Sequence, residues 1–129
     1  MLVSVCRAKI HRARVTAADL HYQGSITIDS ELLAAAGIGR WEEVQIVNLN
    51  NGARFTTYVM LGKPGSGTVC LNGPAARLGQ VDDIIIVIAY GLIDEKESRS
   101  SHPKIVFVDE KNKITRVAEE LKEGEYEGD

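Results

Sequence analysis

The chain has 129 residues, a formal net charge of -3 at pH 7 and only 5% aromatic residues. That length suits one domain over residues 1–129, with a single sizeable core, and is short for two. The charge and the scarcity of aromatics provide neither a basic phosphate-binding surface nor a platform for stacked bases, so no nucleic-acid partner is expected.

At the start of the chain, Met1-Leu-Val-Ser-Val-Cys6 is too short for the apolar part of a signal peptide. No later apolar run approaches the ~20 residues of a membrane span, and a soluble cytoplasmic protein with no membrane partner is expected. Lys9-Ile-His-Arg-Ala-Arg-Val15 alternates loosely and predicts a strand with a cationic face, on which Lys9, His11 and Ala13 share one side. Next, Leu20-His-Tyr-Gln-Gly-Ser-Ile-Thr-Ile-Asp29 sets a Gly24-Ser25 pair directly before an alternating run. A Gly-Ser pair is usually a turn, and the second copy, Gly65-Ser66 between Pro64 and Gly67, reads as one. The first copy has no such flanks and runs straight into a strand.

Asp29 can cap a short helix from Ser30 to Ala36, which Gly37 stops by taking the left-handed conformation. Strands are predicted at Val44 to Val47, Arg54 to Leu61, Thr68 to Leu71 and Ile84 to Tyr90, with Asn51-Gly52 as a tight turn. Pro74 suits the first turn of a second short helix, with Gly79 just past its end. The stretch Ala35 to Val47 resembles Ala75 to Val87 at a fixed offset, each copy reading as helix end, acidic turn and strand. Two copies are too few for a solenoid, so the match predicts pseudo-twofold symmetry within one compact barrel. Ile84-Ile-Ile-Val-Ile-Ala89 is apolar on both faces and belongs deep in the core or at a subunit contact. Ile105 to Val108 and Ile114 to Val117 flank Asp109 to Lys113 as a hairpin. Residues from about 119 to 129 are acidic and read as a solvated tail.

Cys6 and Cys70 sit among apolar residues without metal-ligand spacing and read as two small buried thiols. His11, His21 and His102 are too scattered for a metal cluster. Taken singly, Lys9 and Arg54 read as solvated strand charges, Tyr58 as a packing residue and Asn72 as a cap before Pro74.

Four stretches change that reading together: Lys9-Ile-His-Arg12, Tyr22-Gln-Gly-Ser-Ile26, Asn51-Gly-Ala-Arg-Phe-Thr-Thr-Tyr58 and Leu71-Asn-Gly73. In this order and spacing, from about Lys9 to Asp94, the chain resembles the bacterial aspartate 1-decarboxylases. The resemblance implies a mainly β protein, a small double-psi barrel with short helices, assembled as a homotetramer with sites at subunit interfaces. It implies a self-processing carboxy-lyase that converts L-aspartate to β-alanine and carbon dioxide for pantothenate, the coenzyme A precursor. The implied cofactor is a pyruvoyl group made from Ser25, with no metal and no pyridoxal phosphate; an accessory maturation protein is a further candidate partner.

On this resemblance the Ser25 hydroxyl attacks the Gly24 carbonyl, and the chain parts into a 1–24 β chain and a 25–129 α chain whose pyruvoyl forms a Schiff base with substrate. Glycine suits position 24 because it has no Cβ and leaves its carbonyl approachable. Thr57 and Asn72 are implied in processing through hydrogen bonds to the Gly24 carbonyl or its oxyanion. Tyr58 matches the family's proton donor, and a phenol keeps its proton at neutral pH. Arg54 can grip the carboxylate that stays, with Lys9 adding charge nearby. Thr57, Gly73 and Ala75 complete the implied substrate contacts, Pro74 having no N–H to offer, and His11 is a further candidate. Strict alternation puts Arg54, Thr56 and Tyr58 on one face of their strand and Thr57 on the other, so Thr57 is expected to need a bulge, a twist or a neighbouring subunit. Two other readings stay open: a pyruvoyl decarboxylase of another amino acid, and a barrel module that binds a partner with its chain intact.

Overall fold

Residues 1–119 are described by the computed structural model of the chain. Strands β1 (Leu2–Arg14), β2 (Ala17–Asp19) and β3 (Ser25–Asp29) lead into helix α1 (Ser30–Ala36). After it come β4 (Glu43–Asn48), β5 (Arg54–Gly62), β6 (Val69–Asn72), a 3-10 turn (Gly73–Arg77) and β7 (Ile84–Asp94). A single-turn helix α2 (Glu95–Ser98) and the hairpin β8 (Lys104–Val108) and β9 (Ile114–Ala118) complete the described residues. The sheet runs β2-β6-β3-β5-β4-β7-β1-β8-β9. It closes on itself because β2 continues β1 and pairs with β6 at the other end. At the seam the Thr16 amide donates to the Val69 carbonyl at 2.8 Å, and the Val69 amide donates to Thr16 Oγ1 at 2.9 Å.

The internal match is a real symmetry. Ile46 pairs with Val87 and Val47 with Ile86, so the offset that superposes the two copies exchanges one pair with the other. Outside β4 and β7 a slightly larger offset applies. It exchanges the antiparallel pair Ile26–Leu71 with Ile28–Val69, and the parallel pair Ala17–Cys70 with Thr27–Met60. Two parallel pairs swapped by a pseudo-twofold within a closed sheet make a double-psi β-barrel. Both halves bring the same apolar rows inward. Ile10, Ile26, Ile28, Val44, Ile46, Val59, Val69, Leu71, Ile85 and Val87 are all buried.

Local chemistry sets most boundaries. Asp29 caps α1 by accepting from the Glu31 amide at 2.9 Å, and Gly37 ends it with φ 74°. Asn51-Gly52 lies in the β4–β5 turn with Gly52 at φ 75°, and Gly65-Ser66 is a turn in which the Ser66 amide reaches the Lys63 carbonyl at 3.2 Å. Two expectations need correction. The loose alternation of β1 is broken by Arg12 at φ 64°, within a register shift between Ile10 and Ala13. That bulge turns Ala13 into the core with Ala8 and Ile10, away from the side that Lys9 and His11 share. Cys6 and Cys70 form no disulfide among the described residues and are only half-buried. The acidic tail beyond Glu119 lies outside the described residues. Among those described, no helix is long and apolar enough to cross a membrane.

Candidate active site

Register places the serine. Ser25 opens β3 opposite Asn72 on β6, and Thr27 lies opposite Cys70. Alternate positions Ile26, Ile28, Val69 and Leu71 are at most 1% exposed in the core. Burying each of these side chains contributes roughly 1.5–3 kcal/mol. A one-residue slip would drive Ser25 and Thr27 inward instead, so the core fixes the hydroxyl's position. Ser25, Thr27, Cys70 and Asn72 therefore form a polar quartet on the other face.

Asn72 is the centre of that quartet. Its Nδ2 donates to Ser25 Oγ and to Thr27 Oγ1, both at 2.9 Å, and its Oδ1 lies 3.1 Å from Cys70 Sγ. The Ser25 hydroxyl points to the Gln23 carbonyl at 3.4 Å, and Ser25 is 1% exposed. Next in the chain, Gly73 has φ 62°, and a Cβ there would lie 2.8 Å from Gly24 N and Cα and from the Tyr22 carbonyl oxygen. Only glycine allows the chain after Asn72 to pass this close to Gly24. Pro74 follows, its Cδ 3.3 Å from where a Cβ on residue 24 would sit. The Gly24–Ser25 bond thus rests on the segment Asn72-Gly-Pro74.

A cavity of ≈ 300 Å³ opens at Gly24, lined by Phe55, Thr56, Thr57, Tyr58, Pro74, Ala75 and Leu78. Thr57 borders it without any register shift in the β4–β5 ladder, which answers the expectation of a bulge. The reason is a free strand edge. β3 pairs with β5 only from Ile26–Val59 onward, so among the described residues the part of β5 before Val59 has no strand paired to it on that side. Residues from both faces of β5 border a space at its edge. Tyr58 stacks on Trp41, with ring centroids 5.6 Å apart at 28°, and the Arg40 guanidinium lies 5.1 Å from the Trp41 ring centre.

Residues 1–115 match the family model described as aspartate decarboxylase. The chain belongs to the aspartate decarboxylase family. It is 58% identical to the aspartate 1-decarboxylase of Caldicellulosiruptor saccharolyticus, over 92% of each chain. With the enzyme of the same name from Moorella thermoacetica it shares 57% over 95% of this chain and 92% of that one. With that of Leptospira biflexa it shares 54% over 88% and 97%. Among solved structures, the computationally designed msDPBB_sym2 protein aligns at a TM-score of 0.47 and 19% identity, over 67% of this chain and 99% of that one.

One chain of this decarboxylase family member gathers Gly24, Ser25, Thr57, Tyr58, Asn72, Gly73 and Ala75 around one bond and one cavity. It keeps the cations apart. Arg54, at the start of β5, is exposed and donates to Gln45 Oε1 at 3.3 Å, the same oxygen that accepts from the Tyr90 hydroxyl at 2.8 Å. Lys9 pairs with Ile88, Ile88 with Gln45, and Gln45 with Thr56. Lys9 is thus three strand spacings from β5, roughly 14 Å at ~4.8 Å each. Because paired residues share a face, Lys9 looks outward on the same side as Arg54, Thr56 and Tyr58. His11 borders a different cavity, of ≈ 270 Å³, with its ring edge-on to Phe107 at 5.4 Å. Sequence reasoning missed Thr27, Cys70, Trp41, Phe55 and Leu78. For Thr27 and Cys70 the signal was available, since each stands two residues from Ser25 or Asn72 on an alternating strand. Among the described residues, no His, Cys, Asp and Glu side chains gather in a group that could hold a metal ion.

Proposed function

We propose that this chain cleaves itself between Gly24 and Ser25 and then decarboxylates L-aspartate to β-alanine and carbon dioxide. One observation carries the proposal: a buried serine hydroxyl, held by Asn72 at 2.9 Å, opens a strand directly after a glycine that borders the cavity. Ser25 Oγ attacks the Gly24 carbonyl carbon through a five-membered ring, the C–N bond breaks, and the amide becomes an ester. Removal of the Ser25 α-proton then expels the Gly24 carboxylate from Cβ. The dehydroalanine left behind takes up one water and loses ammonia, leaving a pyruvoyl group at the start of the 25–129 chain. Thr57 borders the cavity beside Gly24, and it and Asn72 are the donors assigned to the charge that develops on the Gly24 oxygen.

The residues around Ser25 fit such a group, because they present one nucleophile, one bare glycine and a cavity of amino-acid size. The pyruvoyl carbonyl and its neighbouring amide supply an electron sink for the pair left when carbon dioxide departs. Tyr58 returns a proton to carbon. Arg54 grips the carboxylate that stays. Lys9 reaches the site from a neighbouring subunit, because within one chain it stands three strands away. A homotetramer is the assembly assigned, with a solution mass about four times the 14.1 kDa of one chain.

The test supplies wild type and Ser25→Ala with L-aspartate and follows β-alanine and carbon dioxide. Wild type should release both and Ser25→Ala neither. Equal release by the two proteins rejects the proposal.

A further inference from the structure

We propose that Cys70 is a positioning residue for self-cleavage, its S–H holding the Asn72 side chain with the amide nitrogen toward the Ser25 hydroxyl. This rests on the self-cleavage reading above. An asparagine has two polar ends of opposite character, and which one faces a nucleophile matters. Were Oδ1 turned to Ser25, it would accept the hydroxyl's hydrogen bond and set a negative dipole beside the bond at which negative charge develops on the Gly24 oxygen during attack. With Nδ2 there, the Ser25 hydroxyl donates to the Gln23 carbonyl, and the amide's positive end lies beside the Gly24–Ser25 bond, whose carbonyl oxygen takes up the charge.

The surroundings select the second arrangement. Cys70 Sγ stands 3.1 Å from Asn72 Oδ1 and supplies that oxygen with a donor. Thr27 Oγ1 accepts a second bond from Nδ2 at 2.9 Å. Both residues are locked in place by register, because their neighbours Ile26, Ile28, Val69 and Leu71 fill the core. Burial, and then the Asp19 carboxylate, push the Cys70 thiol up from its ordinary value, so it keeps its proton at neutral pH and remains a donor.

The experiment follows cleavage of freshly made precursor by intact mass in wild type, Cys70→Ala, Cys70→Ser, Asn72→Ala and the double variant Cys70→Ala with Asn72→Ala. Loss of one hydrogen bond of this kind should slow Cys70→Ala by about tenfold. Cys70→Ser keeps a donor and should cleave within about threefold of wild type. In the Asn72→Ala background, Cys70→Ala should add no further slowing, since the group it positions is gone. Cleavage of Cys70→Ala at the wild-type rate overturns the inference. Equal slowing in Cys70→Ser assigns the effect to packing and also overturns it, as does a full further loss in the double variant. A wild type that never cleaves overturns the parent reading itself, so the two failures are told apart.

Discussion

Ser25 and Tyr58 each stand one residue before Ile26–Val59, the first pair of the parallel β3–β5 ladder. The serine's hydroxyl is turned to Asn72, whereas the tyrosine ring lies on Trp41 at the cavity's edge. Backbone cleavage and proton return are therefore assigned to different groups. Tyr58→Phe should cleave like wild type yet lose most decarboxylation, by about 100-fold or more, as expected for removal of a positioned proton donor. Intact mass and β-alanine release on one preparation decide it.

Gly73 is held at φ 62° with Gly24 and Tyr22 backbone atoms 2.8 Å from where its Cβ would stand. Gly73→Ala meets both obstacles, a left-handed penalty of roughly 1–2 kcal/mol and a collision with the backbone beside the cleaved bond. The protein should fold, by circular dichroism, with the 20–25 loop displaced, and cleavage should slow by at least about tenfold. Cleavage at the wild-type rate would show that the close approach is incidental to processing.

Arg54 brings a planar guanidinium fork to the open part of β5, where it is exposed and bonds Gln45 Oε1 at 3.3 Å. Truncating one partner of a charge pair that bound substrate desolvates costs about 2–5 kcal/mol, so processed Arg54→Ala should lose at least about 30-fold in kcat/KM for aspartate. Arg54→Lys should recover only part, since an ammonium keeps the charge and not the paired geometry. Pyruvoyl content measured beside turnover separates lost binding from failed processing.

Asp29 closes β3, the strand that Ser25 opens, and accepts from the amides of Glu31, Gly65 and Gly67 at 2.9, 3.0 and 2.8 Å. Burial alone would raise its carboxyl, but the amides of Gly67, Glu31 and Gly65 and the charge of Lys113 together hold it below its ordinary value. A depressed folded value means stability that is present above the unfolded carboxyl's value near ~3.9 and lost as pH falls through the folded one. Asp29→Asn should be less stable than wild type at pH 7, by about 1.5–3 kcal/mol for bonds to a charged acceptor. The gap should narrow below about pH 4. Urea unfolding at several pH values measures it, and a gap that stays constant down to acid pH contradicts the assignment.

Much of this was legible in the sequence, and the misses have physical causes. Asp29 and Gly37 bracket α1 as their types require, because capping is decided by a few adjacent residues. The repeat around Ala35 and Ala75 announced the barrel's symmetry, because paired β4 and β7 must repeat what they bury. Alternation failed at Arg12, where a positive φ that no local residue type demands shifts Ala13 to the core. For Thr57 alternation gave the face correctly but not the way to the cavity, because a strand edge is exposed by where the neighbouring strand stops, and that depends on Ser25 being the first residue of β3. Cys70 read as a core thiol because cysteine is usually one, and that residue-type habit outweighed the two-residue spacing that sets it on the face of Asn72, opposite Thr27.

The central claim is that Ser25 does not remain a serine but becomes the pyruvoyl group that heads the 25–129 chain, and intact mass of the purified protein tests it most directly. The account predicts two pieces, residues 1–24 and residues 25–129, the longer one blocked at its start by a pyruvoyl group, while Ser25→Ala remains one uncut chain. Wild-type protein that releases β-alanine from aspartate while remaining wholly one chain, with Ser25 unmodified, would contradict it.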